Sequence, residues 1–569
     1  MIRVLSYSII SPLGETVGQN YRALLAGRSA LAPYDNWHGV PDRFVASLFS
    51  REQREKLAVN GYSRFESLAI RAIEDALSRA DVDIRSPRTL FVLSTTKANV
   101  EELGPTEARD GAYLAPGSTA RKIAGYFGMT NDPVVVCNAC ISGVTAQLLA
   151  DRMIESGYCD HAVVCGIDCQ SLFEVAVFQS FKSLSPEDCR PFDIERRGLN
   201  LGEAASAVIF GRCDDGKDGA GQWKLVKGCL DNDAYHLSAP SPDGAGTLAV
   251  ISGTLDGWDR DDLAVVSAHG TATMFNDQME SVALERASLS SVPVSALKGY
   301  YGHTFGAAGV LEAVLVMRAL DDGCILPVRG FDEIGVSGRI SISNREGRTD
   351  KSSFLKIISG FGGCNGALLY SKAPAKTAGS GAAVKKNPQT VHSVRLTDSS
   401  LSIDGRNIPV EQSGKAMLTW IYRTMLTDWP KFYKMDVFNR LVYVASQLLV
   451  REENAAVPDV NRALVFFNRS STIVSDRKHI STICGGDGFF PSPSLAIFTL
   501  PNITAGEVAI RNGYRGETSF YILDERNERL MGNIVDATFS CSDVSSMITG
   551  WVDCSAEDTF EADIRILTI

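Results

Sequence analysis

No run of the 569 residues approaches the roughly 20 consecutive apolar positions of a membrane-spanning helix. Nothing at the start reads as a secretory leader. Met1–Pro12 (MIRVLSYSIISP) is apolar, but it is short and Pro12 ends it, so a first β-strand is expected there. An excess of positive charge is also lacking. The net charge is −11, which disfavours a global nucleic-acid binder and leaves only a local basic patch to meet an acidic partner. Nor is there a disulfide framework, because the 13 cysteines are scattered and odd in number. These absences point to a reduced, cytoplasmic protein with no membrane span. What is present is apolar material for a large core, 45% of residues, over a length that implies two or more domains.

Residues 1–372 alternate short β-branched runs with helical patterns. Strands are expected at Arg3–Ile10, Thr89–Thr95, Pro133–Cys137, Ala162–Ile167 and Ala205–Phe210, then at Ala264–Ala268, Ile340–Ser343, Phe354–Ser359 and Gly366–Ser371. Helical patterns lie between them, as at Ser67–Arg79, Gly143–Ser156 and Ala307–Leu320. This alternation predicts an α/β fold, and apolar runs without clean alternation fit strands buried on both faces. Lys372–Gln389 (KAPAKTAGSGAAVKKNPQ) has no apolar period and reads as a linker. The expected organisation is a first domain over 1–372, a linker over 373–389 and a second domain over 390–569.

The second domain repeats part of the first. TARKIAGYFGMTNDPVVVCNAC starts at Thr119 and TAGEVAIRNGYRGETSFYILDE at Thr504, an offset of 385. The same offset places Asp168–Cys169 on Asp553–Cys554 and Cys140 on Glu525. Arg64–Leu68 also resembles Val437–Leu441. Residues 390–569 therefore read as a diverged copy of the first half only, although two α/β segments can also match by chance.

Cys140 lies in VVVCNACISG, an apolar run followed by small residues and the helical pattern VTAQLLADRMI. A thiol at such a strand-to-helix turn meets the N–H groups and partial positive charge of the helix start, which favour thiolate. An inert buried cysteine is the plain alternative. Cys137 and Cys140 also form a C-x-x-C. Redox work would need both sulfurs exposed, and Cys137 ends the apolar run; zinc would need a second close ligand pair. His269 and His303 both follow short β runs and precede small-residue turns, with Lys298 five residues before His303. Strand ends are where α/β sites gather. Either histidine alone is as easily structural, and the set of Cys, two His and Lys is what suggests a site.

These segments resemble the β-ketoacyl synthases of fatty acid and polyketide assembly. VCNACISG is similar to their nucleophile motif, and CRPFDIERRGLNLGEAASAVIFG (Cys189–Gly211) to a further family block. HGTAT and KGYYGHTFGAAGVLE are similar to the two histidine motifs, and GFGGCNGALLY (Gly360–Tyr370) to the C-terminal loop. The resemblance covers about residues 1–372. It implies a thiolase-like layered αβαβα fold, followed here by an incomplete thiolase-like half.

It also implies a mechanism. Cys140 takes an acyl chain from acyl carrier protein, and malonyl carrier protein then loses CO2 and condenses to a 3-oxoacyl product. His269 and His303 hold the enolate oxygen, Lys298 biases their protonation, and Glu312 holds Lys298. The N–H groups of Cys140 and Phe361 hold the oxyanion. Thr271 and Thr273 bind the phosphopantetheine arm, which arrives on the carrier, so no cofactor and no metal of the protein's own is implied. Asp277 and Glu280 are read as structural. The Cys-His-His set implies elongation, whereas initiating synthases carry an Asn for one His. Degradative thiolases place a second Cys before the loop glycines; here Cys364 follows Gly362–Gly363.

Some features depart from the family. The segment is short around residues 90–120 and 213–260, and Ser359 stands where many elongating enzymes carry a gate phenylalanine. Arg51, Arg54 and Lys56 in SREQREK resemble a carrier-docking segment, with Arg190 as a further candidate; a solvated helix face is the alternative. A thiolase-type CoA acyltransferase remains a rival reading. For the C-terminal half, a non-catalytic chain-length or scaffolding role stands open, in a homodimer or as a built-in pseudo-dimer partner, with Glu525 structural or helping to close the floor of the tunnel. Cys140→Ala is expected to abolish acylation and condensation while leaving the fold intact. Intact-mass spectrometry after incubation with acyl donors checks this, and an acyl group that persists or maps to Cys137 contradicts it.

Overall fold

The computed structural model describes residues 1–104, 114–213, 221–373, 385–453, 459–484 and 489–569. Every strand expected in the first domain forms, with ends shifted by at most two residues. The helix expected from Ser67 begins at Arg64, because Ser63 and Glu66 form a reciprocal capping box that closes the first turn. Two strands of the main sheets were not legible, nor were the short strands outside them. Lys224–Asn232 is interrupted by Lys227 and Gly228 and is only partly buried, and Pro293–Ser295 has three residues.

The described residues of the first domain form two large sheets, besides a small three-stranded and a small two-stranded one. One runs Val134–Val136, Thr89–Ser94, His161–Asp168, Ala204–Arg212, Ile2–Ile10. The other runs Ser341–Ile342, Pro293–Ser295, Val265–Ser267, Ser353–Gly360, Cys364–Ser371, Lys224–Asn232. Helices Ser142–Glu155 and Ala308–Asp321 pack between the sheets, and Arg64–Leu77 and Ala245–Thr254 cover their outer faces. This is the layered αβαβα arrangement. The central helices touch at glycines: a Cβ on Gly143 would lie 2.9 Å from the Gly306 carbonyl and 3.0 Å from the Gly309 Cα. Only glycine allows backbones that close, which explains the small residues of Gly306–Gly309.

Residues 389–568 repeat the topology of the first sheet. Their order is Thr518–Ile522, Ala463–Asn468, Ser546–Ala556, Thr559–Thr568, Gln389–Thr397, with the same parallel and antiparallel senses. Asp168 caps the loop after Thr89–Ser94 through Thr95 and Thr96. Asp553, its counterpart at the 385 offset, caps the loop after Ala463–Asn468 through Arg469 and Ser470. Residues 374–384 of the expected linker lie outside the described residues, and Gln389 already begins a strand.

The two units join edge to edge. Tyr521 and Ile522 pair antiparallel with Val136 and Val135, and the Cys137 N–H donates to the Phe520 carbonyl. One apolar core therefore continues from Leu148, Leu149 and Met153 into Tyr521, Ile534 and Phe539. Two buried ion pairs cross the join, Arg152–Glu517 and Lys97–Asp476.

A half that lacks its second sheet would, on burial grounds alone, be left with a large exposed apolar face. Its exposed large apolar residues are instead scattered: Val391, Tyr433, Val460, Phe490 and Ile569. The helices show why. Ser142–Glu155 is buried nearly all round, whereas its counterpart Glu528–Cys541 buries Met531, Ile534 and Phe539 and turns Glu528, Arg529 and Gly532 to solvent. The sequence has become amphipathic where a layer is missing. Glu525 is exposed, so the expectation that it helps to close a tunnel floor is not met.

No helix among the described residues is long and apolar enough to cross a membrane. Glu517→Ala would leave the Arg152 guanidinium buried and unpaired. It is expected to cost about 3–5 kcal/mol, read as a lowered unfolding midpoint in denaturant. A change under about 1 kcal/mol would show that the pair does not hold the join.

Candidate active site

Four strand ends converge on one pocket of about 310 Å³. Cys140 follows Val134–Val136 on a short turn, where Ala139 is held at φ 46°, and precedes helix Ser142–Glu155. His269 lies two residues beyond Val265–Ser267, and His303 follows the turn Lys298–Tyr301 after Pro293–Ser295. Phe361 follows Ser353–Gly360. The Cys140 Sγ and one nitrogen each of His269 and His303 lie within 4.8 Å of one another. Thr271, Thr273 and Phe361 line the same pocket, and the two threonine hydroxyls are 2.9 Å apart.

Lys298 and Glu312 stand behind this surface. The Lys298 ammonium donates to the His269 carbonyl at 2.6 Å and to Glu312 at 2.9 Å. Lys356, which sequence reasoning missed, donates to the other Glu312 oxygen at 2.5 Å. Its signal was a lone lysine inside the apolar strand SFLKIISG. Burial would raise the Glu312 carboxyl, but the two lysines outweigh it and hold it below the usual range.

Burial, then the charge of Lys298, pushes both histidines well below their ordinary value, so both are neutral near pH 7. The His303 Nδ1 accepts the Phe305 N–H at 3.3 Å, which leaves the Nε2 proton available to the pocket. The same burial decides the state of the thiol. The turn was expected to favour thiolate, yet desolvation pushes Cys140 up to about 12; Lys298 and the N–H groups of Cys140 and Phe361 offset only part of it. The resting nucleophile is a thiol. Those two N–H groups are close enough to the sulfur to lower its pKa, which makes them the candidate oxyanion-hole donors for an acyl group carried there.

Two family models match, "Beta-ketoacyl synthase, N-terminal domain" over residues 1–215 and "Beta-ketoacyl synthase, C-terminal domain" over residues 225–332. The chain belongs to the β-ketoacyl synthase family.

Curated relatives of the synthase include 3-oxoacyl-[acyl-carrier-protein] synthase 2 of Vibrio cholerae, 27% identical over 65% of this chain and 98% of the relative. The tetracenomycin polyketide synthase ketoacyl synthase alpha subunit of Streptomyces glaucescens is 31% identical over 46% of this chain and 65% of the relative. Among solved structures, the PfaC keto synthase–chain length factor aligns over 100% of this chain and 78% of its own, at TM-score 0.80 and 15% identity. That likeness speaks for the fold, and it includes the C-terminal half. The ketosynthase ApeO in complex with its chain length factor ApeC, from Xenorhabdus doucetiae, matches 65% of this chain and 98% of its own at TM-score 0.56.

The other expected residues are placed as follows. Asp277 accepts the backbone N–H groups of Phe192, Thr271 and Ala272, and Glu280 those of His269 and Gly270. Both hold the HGTAT turn. Cys137 is buried in the core with its sulfur 3.0 Å from the Thr96 carbonyl, so the C-x-x-C is no exposed thiol pair. Cys364 lines the pocket with its sulfur 3.2 Å from the Phe361 carbonyl, and burial pushes its thiol far up. Arg51, Arg54 and Lys56 are exposed on helix Arg51–Leu57 and do not line the pocket. Arg51 pairs with Glu55 and Lys56 with Glu15. Arg190 pairs with Glu195.

The C-terminal half adds what sequence reasoning missed. The Asn502 Nδ2 donates to the Phe361 carbonyl at 2.8 Å, beside Asn232 of the first domain, which donates to the Gly362 carbonyl at 2.9 Å. The loop that presents the Phe361 N–H is thus held partly by residues 141 positions away in the chain. No local pattern in GFGGCNG signals Asn502.

A thiol held near 12 ionises about tenfold more per pH unit throughout the accessible range. Alkylation of Cys140 by iodoacetamide in the free enzyme is therefore expected still to be rising at pH 9. A plateau reached by pH 8, followed by peptide mass mapping, would contradict a burial-dominated thiol.

Proposed function

We propose that the protein catalyses decarboxylative condensation of malonyl-acyl carrier protein with an acyl group held on Cys140, giving a 3-oxoacyl-acyl carrier protein. The observation that carries this reading is the Cys140–His269–His303 cluster, within 4.8 Å, at a pocket that also presents Thr271 and Thr273.

In the first half-reaction the Cys140 sulfur attacks the acyl thioester. The carbonyl oxygen takes the developing charge against the N–H groups of Cys140 and Phe361. The bond to the carrier sulfur then breaks, and that sulfur leaves with the proton Cys140 gave up. In the second half-reaction the carboxylate of the malonyl group leaves as CO2. Its bonding electron pair passes into an enolate whose oxygen accepts from the neutral His269 and His303. The enolate carbon attacks the Cys140 thioester, the new carbon–carbon bond forms, the carbon–sulfur bond breaks, and one proton taken up from solvent returns the Cys140 sulfur to the thiol.

Neutral histidines suit this role. An imidazole N–H donates to a developing oxyanion in a water-poor site without adding an imidazolium beside Lys298 and Lys356. The phosphopantetheine arm belongs to the carrier, and Thr271 and Thr273 are the hydroxyls suited to its amides. Arg51, Arg54 and Lys56 are proposed to meet the acidic carrier. Arg51 and Lys56 are now held in surface ion pairs worth about 0–1 kcal/mol each, which a docking carboxylate displaces at little cost, and Arg54 donates to the Phe49 carbonyl.

Residues 390–569 carry no counterpart of the nucleophile and are proposed to be a non-catalytic, incomplete synthase-like partner acting in cis. The free thiols of the chain fit a reducing cytoplasm. His269→Ala and His303→Ala are each expected to slow malonyl decarboxylation by about 10²–10³ and to slow acyl transfer to Cys140 much less. Separate measurement of CO2 release and of enzyme acylation decides this; equal losses in both steps would remove the histidines from the enolate.

A further inference from the structure

The loop 360–363, which presents the Phe361 N–H, cannot hold its own shape. Its other three residues are glycine, and Gly362 and Gly363 sit at φ 90° and 74°, in the left-handed region that glycine alone enters freely. The loop is fixed from outside. Asn232 donates to the Gly362 carbonyl at 2.9 Å, and the Asp233 N–H donates to the Gly363 carbonyl at 2.7 Å. The peptide group that joins Phe361 to Gly362 is gripped at both ends. Its N–H donates to the Leu237 carbonyl of the first domain at 2.6 Å. Its carbonyl meets two donors: the Cys364 thiol, a weak one, at 3.2 Å, and the Asn502 Nδ2 at 2.8 Å. Asn502 is buried and packs tightly; a Cβ on Gly362 would lie 2.8 Å from its Nδ2. One helical turn further on, Gly506 lies against the same loop, where a Cβ would be 2.8 Å from the Gly362 carbonyl oxygen.

We infer that Asn502 is a positioning residue for acyl transfer: by gripping the Phe361 carbonyl, the incomplete half keeps the Phe361 N–H beside the Cys140 sulfur and so completes the oxyanion hole of the complete half. This rests on the condensing function proposed above and adds a residue to it. An oxyanion hole lowers a barrier only when its donors are fixed before the charge develops. The Phe361 N–H and the Phe361 carbonyl belong to consecutive peptide planes that share one α-carbon. When the second plane swings, the first turns with it, and the flanking glycines offer little resistance. The amide of Asn502 serves in one orientation only. Turned over, its Oδ1 would face the Phe361 carbonyl, acceptor against acceptor. The two halves are not equivalent here. At the 385 offset the first half carries Gly117, which packs without a side chain on the backbone of Leu523 and Asp524. The amide is therefore present on the side that faces the nucleophile and missing from the side that faces Glu525. Asn502 itself touches no reacting atom and acts through the loop.

The test uses the full chain and N-acetylcysteamine thioesters of acetyl, butyryl and octanoyl groups, which need no carrier recognition. Acylation of Cys140 is followed by intact-mass spectrometry. Iodoacetamide is the reference reagent, because the same sulfur attacks it in a displacement that builds no oxyanion. Asn502→Leu keeps the bulk and removes the donor. Outright loss of one oxyanion donor costs about 10²–10³, so loosening one is expected to slow acylation about tenfold or more, while alkylation stays within about threefold of native. Gly506→Ala favours its helix but drives a Cβ against the Gly362 carbonyl. It is the second variant and is expected to lower the ratio of acylation to alkylation in the same direction. Thermal melts confirm folding, and where Asn502→Leu fails to fold, Gly506→Ala decides. Equal slowing of both reactions marks a merely structural role and overturns the inference. So does acylation at the native rate in folded variants, and in either case the condensing function stands. A native chain whose Cys140 is acylated by none of the thioesters would instead overturn the proposed function, and this inference with it.

Discussion

The antiparallel pairing of Val135–Val136 with Tyr521–Ile522 is the contact on which the rest of the molecule depends. Val134–Val136 is the edge of its sheet, and it ends four residues before the nucleophile. An unpaired edge there would leave backbone groups open and the strand end free to fray. Pairing it with the corresponding edge of the C-terminal half fixes the turn that carries Cys140. It also brings the start of helix Ile503–Asn512 against the Phe361 loop, and Thr499–Leu500 against the cavity behind the nucleophile. An incomplete half without a nucleophile thereby supplies part of the scaffold of the only complete one described.

The join concentrates buried charge, and the arrangement is economical. Arg152–Glu517 and Lys97–Asp476 each place a cation from the first domain against an anion from the second. Such pairs add little over apolar packing, yet they penalise any alternative register that separates them. The charges behind the histidines work differently. Lys298, Glu312 and Lys356 all come from the first domain, and burial, then the charge of Lys298, keeps His269 and His303 neutral. Burial holds the Cys140 thiol protonated despite the same lysine. The site at rest is therefore uncharged at its reacting atoms, with charge held one layer back.

Much of this was legible from the chain alone. Cys140, His269, His303, Thr271 and Thr273 each sit in a local motif at a strand end, and strand ends of an α/β fold converge by topology. The 385-residue offset was visible because a strand–turn–helix unit keeps its apolar spacing even after its catalytic residue becomes Glu525. The expectation of thiolate at Cys140 did not hold, because a helix start is a local feature whereas desolvation depends on everything packed around the sulfur.

By itself, the sequence determined the elements, the layer order and the identity of the reacting residues, since those follow from periodicity, capping and motifs within a few turns of chain. Only the tertiary structure decided the protonation state of those residues, the partnership of Lys356 with Glu312, the hold of Asn502 on the Phe361 loop and the buried pairing of Lys97 with Asp476. Each of these joins side chains between 44 and 379 positions apart, or depends on solvent exclusion by the whole fold. No window of sequence contains that information, because burial and long-range hydrogen bonding exist only once the two halves have closed on each other.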